Sequence, residues 1–307
     1  MGALFRLKKS TIVRTGLTGS FAALELISPA LGARLATRLW FRIPTVPPTG
    51  LDRAAVRPPA GEAFAMTSQG VVVRGTTWGH GRVVYLVHGW GGRSTDLAAF
   101  VAPLVTRGLR VVAFDAPSHG LSDAGLLGPG RSHAVETGRA LDAVAARFGP
   151  AEAVVAHSAG AVAGLLTLKH GWLSTRRIVL LAPMARLADH LAVFRSVLRI
   201  GRRTSARMDR DIERLVGLPV TEFDAPRLYH EVAAEAGPMS TLVVHDRDDR
   251  TTPYVAGLVV SDRMGAELVT TSGLGHRRLL QDPGVVDTVV GFVAGDVSLE
   301  GWLSTGS

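Results

Sequence analysis

The spacing of apolar residues changes character twice along this chain, and each change marks a boundary. In the first forty residues Leu17, Phe21, Leu24 and Ile27 recur at helical intervals, and Leu31, Leu35 and Leu39 continue the stripe. Ser28-Pro29 supplies an N-cap and a first-turn proline, so two amphipathic helices are expected, joined at that point. Pro44, Pro47, Pro48, Pro58 and Pro59 then make residues 43–61 an extended linker, since proline blocks helix continuation and removes a ladder donor. From residue 62 short apolar runs alternate with helical patterns. Strands are expected at Val71–Val73, Val83–Val87, Arg110–Phe114, Ala153–Ala156, Ile178–Leu181, Thr241–His245 and Leu268–Thr270. Helices are expected over Asp96–Thr106, Ser132–Phe148, Ala161–Lys169, Pro253–Met264 and Val285–Val293. Near-continuous apolar strands separated by helices predict an α/β fold, a mostly parallel sheet covered on both faces. Between Pro183 and Pro238 the alternation gives way to helical segments rich in Arg, Asp and Leu. That is too long for an ordinary connection. It predicts a helical cap over 184–239, at the carboxyl edge of the sheet where open α/β folds bind ligands. The domain reading is therefore a basic arm and linker over 1–61, a core over 62–183 and 240–307, and the cap between.

Composition narrows the chemistry. The chain has 307 residues, is 47% hydrophobic and 20% charged, and contains no cysteine. Disulfides, thiolate nucleophiles and cysteine-based zinc sites are excluded, and a cysteine-free chain fits a reducing cytoplasm. The net charge of +8 is concentrated at one end. Residues 1–60 carry Arg6, Lys8, Lys9, Arg14, Arg34, Arg38, Arg42, Arg53 and Arg57 against Glu25 and Asp52, nine minus two, which leaves the rest of the chain at +1. A nearly neutral body offers no footprint for nucleic acid. The arm is too interrupted by Arg14 and Glu25 to read as a membrane span. A secretory leader is a poor fit, because no convincing short apolar core ends in a cleavage site, and Arg6 stands where a myristoylation signal wants Ser or Thr. The arm is expected to pack on the body or on a second copy in a homodimer, with contact to an anionic membrane surface as the alternative.

The candidate chemistry starts at Ala156-His157-Ser158-Ala159-Gly160. A serine between an apolar strand and a helix, with small residues two places before and after, fits a nucleophile elbow. A serine nucleophile needs an orienting acid, a base and oxyanion donors. The acid comes from Asp246, Asp248 and Asp249, which follow a strand; Asp249, four residues before Pro253, is the first choice. The base is His276, glycine-flanked and placed after the last strand, with His245 and His230 as alternatives. The backbone N–H groups of Ala159 and of Trp90, in the His88-Gly89-Trp90-Gly91-Gly92 loop, are the expected oxyanion donors. That loop fits neither glycine-rich nucleotide-binding pattern. Trp78, Trp172, Phe194 and Leu198 are either pocket walls or core.

Taken together, these blocks and Asp115-Ala116-Pro117-Ser118-His119-Gly120-Leu121-Ser122 resemble the α/β-hydrolase superfamily over residues 62–296, with 184–239 in the place of its variable cap. The last block is similar to the family's D-x-x-G-H-G-x-S loop and departs from it at Ser118, where glycine is usual. The resemblance implies structural roles for His88, Asp115 and His119. It implies a serine hydrolase acting on a small acyl substrate, an ester first, with no metal or organic cofactor. A thioesterase, an amidase, a carbon–carbon hydrolase and a non-catalytic binding module of the same fold are the alternatives.

Overall fold

The computed structural model describes residues 11–44 and 56–295, with side chains from residue 18 onward in the first segment. The basic residues Arg6, Lys8, Lys9 and Arg53, the acidic Asp52, and Pro47 and Pro48 of the expected linker lie outside those residues.

Eight strands form one sheet: β1 (Glu62–Ser68), β2 (Val71–Trp78), β3 (Val83–Val87), β4 (Arg110–Phe114), β5 (Ala151–His157), β6 (Arg177–Leu181), β7 (Ser240–Asp246) and β8 (Glu267–Thr271). Their order is β1-β2-β4-β3-β5-β6-β7-β8. From β4 onward every pairing is parallel, while β2 runs antiparallel to both β1 and β4. All five residues of β3 are buried, as a strand covered on both faces requires. Tyr85 and Val87 face one core, and Val84 and Leu86 the other.

β1 and the second half of β2 are not in the sequence expectation. Gly75-Thr76-Thr77 lies beyond the expected strand, yet it pairs with Phe64, Ala63 and Glu62. Gly75 is needed there because a Cβ would stand 2.4 Å from the Phe64 ring. The hairpin turn is Gln69-Gly70, with φ of 49° and 80°, the left-handed pair that matches strand twist.

The helices in chain order are α1 (Thr11–Ile27), α2 (Pro29–Trp40), α3 (Val101–Thr106), α4 (Ala134–Phe148), α5 (Ala159–Lys169), α6 (Leu187–Leu198), α7 (Arg202–Val216), α8 (Ala225–Ala236), α9 (Tyr254–Met264), α10 (Gly275–Arg278) and α11 (Pro283–Ala294). The stretch expected as a cap is helical but has two parts. α8 packs against α5 and α9 and serves as the crossover from β6 to β7. α6 and α7 form an excursion whose neck is closed by a bridge between Arg186 and Asp224, with Leu187 N–H donating to the Phe223 carbonyl at 2.9 Å.

The arm joins that excursion. α2 packs along α7, and α1 touches both α6 and α7. Gly32 allows the close approach, since a Cβ there would lie 3.1 Å from the Thr204 side chain. Glu25 of α1 accepts hydrogen bonds from the Arg203 and Thr204 N–H groups at 2.8 and 3.0 Å, so a carboxylate from one helix caps the start of another. The chain then descends to the sheet edge, where Ile43 N–H donates to the Gly130 carbonyl at 2.8 Å.

Candidate active site

Ser158 follows β5 directly and has φ 54° and ψ −118°, a conformation an L-residue adopts only at a cost of about 1–3 kcal/mol. The elbow is tight. A Cβ on Gly160 would stand 2.6 Å from the His88 carbonyl, and one on Gly89 would stand 2.9 Å from Ser158 Cβ. The Ala156 methyl group is fully buried and packs toward Gly164 of α5, whose Cβ position would lie 3.9 Å away, an ordinary contact distance.

His276 sits on α10, a single turn reached through Gly273 and Gly275, both at positive φ. Its Nε2 lies 3.0 Å from Ser158 Oγ and its Nδ1 lies 2.7 Å from Asp249 Oδ2. Nδ1–H donates to the carboxylate, and Nε2 is left to accept the serine proton. Of the three aspartates, Asp249 alone meets the imidazole. Asp246 accepts from Leu274 N–H and the Thr271 hydroxyl, and Asp248 accepts from Gly273 N–H, so these two hold the histidine loop in place. His245 is fully buried behind Asp249, and His230 lies exposed on α8.

Burial alone would raise the Asp249 pKa. His245, His276 and the Thr252 N–H outweigh it and hold this carboxyl well below the usual range. Asp249 Oδ1 accepts from Thr251 and Thr252 N–H at 2.7 and 2.9 Å. His245 Nε2–H donates to the Thr252 carbonyl at 3.0 Å and lies 3.5 Å from Asp249 Oδ2.

The loop after β3 lies against the elbow. Gly91 N–H donates to His119 Nε2 at 3.2 Å, and Gly92 N–H to the Gly89 carbonyl at 3.0 Å. Among the described residues the N–H groups of Trp90 and Ala159 have no such partner. They are the donors left over for a developing negative charge. His88 and His119 wire this loop to the one after β4: His88 Nε2 accepts from Ala116 N–H, and His119 Nδ1–H donates to the Pro117 carbonyl. Burial first, then the neighbouring His88, pushes His119 down to about 3, so it is a neutral acceptor for Gly91. Asp115 accepts from Ser94 and Leu121 N–H, and Gly120 clears it, since a Cβ would stand 2.0 Å from Asp115 Oδ2. Ser118 occupies the glycine-like position with φ 64°, and its hydroxyl accepts from Gly125 N–H at 2.8 Å.

Two further contacts escape sequence reasoning. His157 is buried, and its Nε2–H donates to the His276 carbonyl at 3.0 Å, fixing the main chain that carries the imidazole. Burial, then His276, lowers the His157 pKa and keeps the ring neutral. Arg277 donates to Asp96 at 3.0 Å, which ties the histidine turn to the loop after β3. The only sequence signal for either was proximity to an active residue.

A predominantly apolar cavity of about 100 Å³ opens beside the elbow, lined by Gly89, Trp90, Ala159 and Gly160 at its base. Phe194 of α6 lines it, whereas Leu198 is core. Trp78 donates to the Pro59 carbonyl, and Trp172 stacks under Arg139; neither reaches the cavity.

A family model described as the alpha/beta hydrolase family matches residues 84–288. No curated protein sequence matches the chain. Among solved structures, an esterase from Exiguobacterium antarcticum is similar at 15% identity and a TM-score of 0.56, over 76% of this chain and 99% of that one. The thioesterase domain from the curacin biosynthetic pathway is similar at 16% identity and a TM-score of 0.54, over 76% and 99%. A meta-cleavage product hydrolase from Pseudomonas fluorescens is similar at 18% identity and a TM-score of 0.52, over 76% and 98%. At such identities these likenesses show a shared fold.

Proposed function

The chain belongs to the alpha/beta hydrolase family, and from that premise we propose that it is a serine hydrolase that cleaves a carboxylic ester through an acyl-enzyme. The observation that carries the reading is one unbroken hydrogen-bonded line, Asp249 to His276 to Ser158, ending on a serine at a strained elbow. His276 Nε2 takes the Ser158 proton as Oγ attacks the carbonyl carbon. Trp90 and Ala159 N–H groups receive the oxyanion of the tetrahedral adduct. His276 passes its proton to the departing alcohol, then draws a proton from water, which attacks the acyl-serine and frees the acid and Ser158. Asp249, held ionised, stabilises the imidazolium in both halves of the cycle. The test is Ser158→Ala assayed on p-nitrophenyl esters. Turnover should fall at least about a thousandfold, and a fluorophosphonate probe should label the parent and not the variant. Undiminished hydrolysis by the variant would reject the reading. The esterase and thioesterase among the similar structures make oxyesters and thioesters the first pair of substrates to compare.

A second reading, action on lipid at a membrane surface, is favoured by the turn between α1 and α2. Leu26 and Ile27 are 80% and 82% exposed there, and Leu31 follows at 55%. The exposed Arg202 and Arg203 begin the helix that Glu25 caps, so cations flank this apolar tip. Among the described residues no helix is long and apolar enough to cross a membrane. Vesicles containing phosphatidylserine should float the protein at low salt, and the Leu26→Asp/Ile27→Asp double variant should stay at the bottom of the gradient. A parent that fails to float rejects this reading.

A further inference from the structure

The cavity beside Ser158 has a wall from a part of the chain outside the matched residues 84–288. Its base is the elbow and the loop after β3, and Leu39, Trp40 and Phe41 of the arm stand among its lining. We propose that this end of the arm is part of the substrate site, and that Trp40, with Phe194 of the excursion, sets the length of acyl chain the enzyme accepts. The proposal rests on Ser158 being the nucleophile.

Three observations support it. The two aromatic rings meet edge-on, with centroids 5.3 Å apart and planes at 71°, so one closing surface is shared by two segments distant in sequence. The arm is fastened on both sides of Trp40. Glu25 caps α7 before it, and after it Ser132 N–H donates to the Phe41 carbonyl at 3.3 Å and Arg42 bridges to Arg131. Pro44 then lies against the oxyanion loop itself, because a Cβ on Gly91 would stand 2.8 Å from Pro44 Cγ. An arm held at these points is a fixed wall, and a fixed wall discriminates by size.

Geometry also says which half of the substrate lies there. The departing alcohol must leave beside His276 Nε2, which protonates it. The cavity is bounded by the residues bearing the oxyanion donors, and neither Ser158 nor His276 is among its lining, so it begins beyond the reacting atoms on the donor side. The group on the other side of the carbonyl, the acyl chain, is the one that points into it. The lining is mostly apolar, which favours a hydrocarbon chain in it.

The experiment is a p-nitrophenyl ester series from acetate to decanoate with the full chain. Trp40→Ala should move the optimum to longer chains and raise the decanoate-to-butyrate ratio of kcat/KM at least about tenfold. Phe194→Ala should do the same. Arg38→Ala, on the exposed side of α2, should keep the parent ratio. A purely structural role for the arm would lower all esters alike and leave the ratio fixed. That result, in variants that still melt cooperatively and still label at Ser158, overturns the proposal. Should Trp40→Ala not fold, Trp40→Leu reads the same ratio, with a smaller shift expected and an unchanged ratio again overturning it. Loss of the serine reading looks different: the parent itself would neither label nor hydrolyse any ester of the series.

Discussion

Three aspartates within four residues divide into two roles, and the difference lies in which backbone N–H each one finds. Asp246 and Asp248 spend their oxygens on the loop that brings His276 into place. Asp249 is turned back by Thr251 and Thr252, which leaves its second oxygen for the imidazole. Sequence alone narrows the acid to this run, because a carboxylate after a strand emerges at the sheet's carboxyl edge. It cannot choose among the three, because the choice depends on the turn. Asp249→Asn should therefore lower kcat about 10³- to 10⁴-fold. Asp248→Ala, which loses only a loop contact, should cost less than about tenfold in kcat and show its effect in thermal melting. Equal losses in the two variants would move the acid role away from Asp249. Because its pKa is depressed, Asp249 stays ionised below the ordinary aspartate range, and its stabilising contribution is lost only as pH falls through that lower value. His157 was illegible for a related reason: a buried histidine after a strand looks like core until its partner is known.

At the scale of elements, strands with strong apolar runs were readable and strands with mixed composition were not. Val83–Val87 and Arg110–Phe114 coincide with β3 and β4 to the residue. β1 is missed because, at the sheet edge, it buries only Phe64 and Ser68 and so carries no apolar run. The helical stretch after β6 is visible as an interruption, but its division is not. α8 has the same amphipathic look as α6 and α7, and only its packing on α5 assigns it to the body. The joint between arm and excursion makes a prediction at this scale. The Thr204 side chain and the N–H groups of Arg203 and Thr204 hold Glu25 below the ordinary glutamate range. Its clamp is thus fully present above the ordinary glutamate pKa and is lost as pH falls through the lower folded value. Glu25→Ala should destabilise the protein by about 1 kcal/mol, the cost of losing a helix cap. The gap in melting temperature between parent and variant should be full at pH 7 and close toward pH 3. A gap independent of pH would show that the carboxylate is not what clamps the helices.

For the whole molecule, the parts of the site come from almost the full length of the chain: the end of α2, the loop after β3, the elbow, α6, and the turns after β7 and β8. The order serine, acid, histidine was legible because each follows its own strand, and a parallel sheet brings all strand ends to one edge. The arm's place in the lining of the cavity was not legible. Its apolar stripe says that it must be buried, but not against what, and about 160 residues separate Trp40 from the helix α2 packs on. That distance has a meaning in time. A ribosome adding about 5–20 residues per second releases α1 and α2 some ten to thirty seconds before α7 exists. Through that interval α1 and α2 carry an apolar face that α7 does not yet cover. The nascent chain therefore passes through a stage at which a holding chaperone has a ready target, and the arm can dock only once α7, made long after it, has emerged.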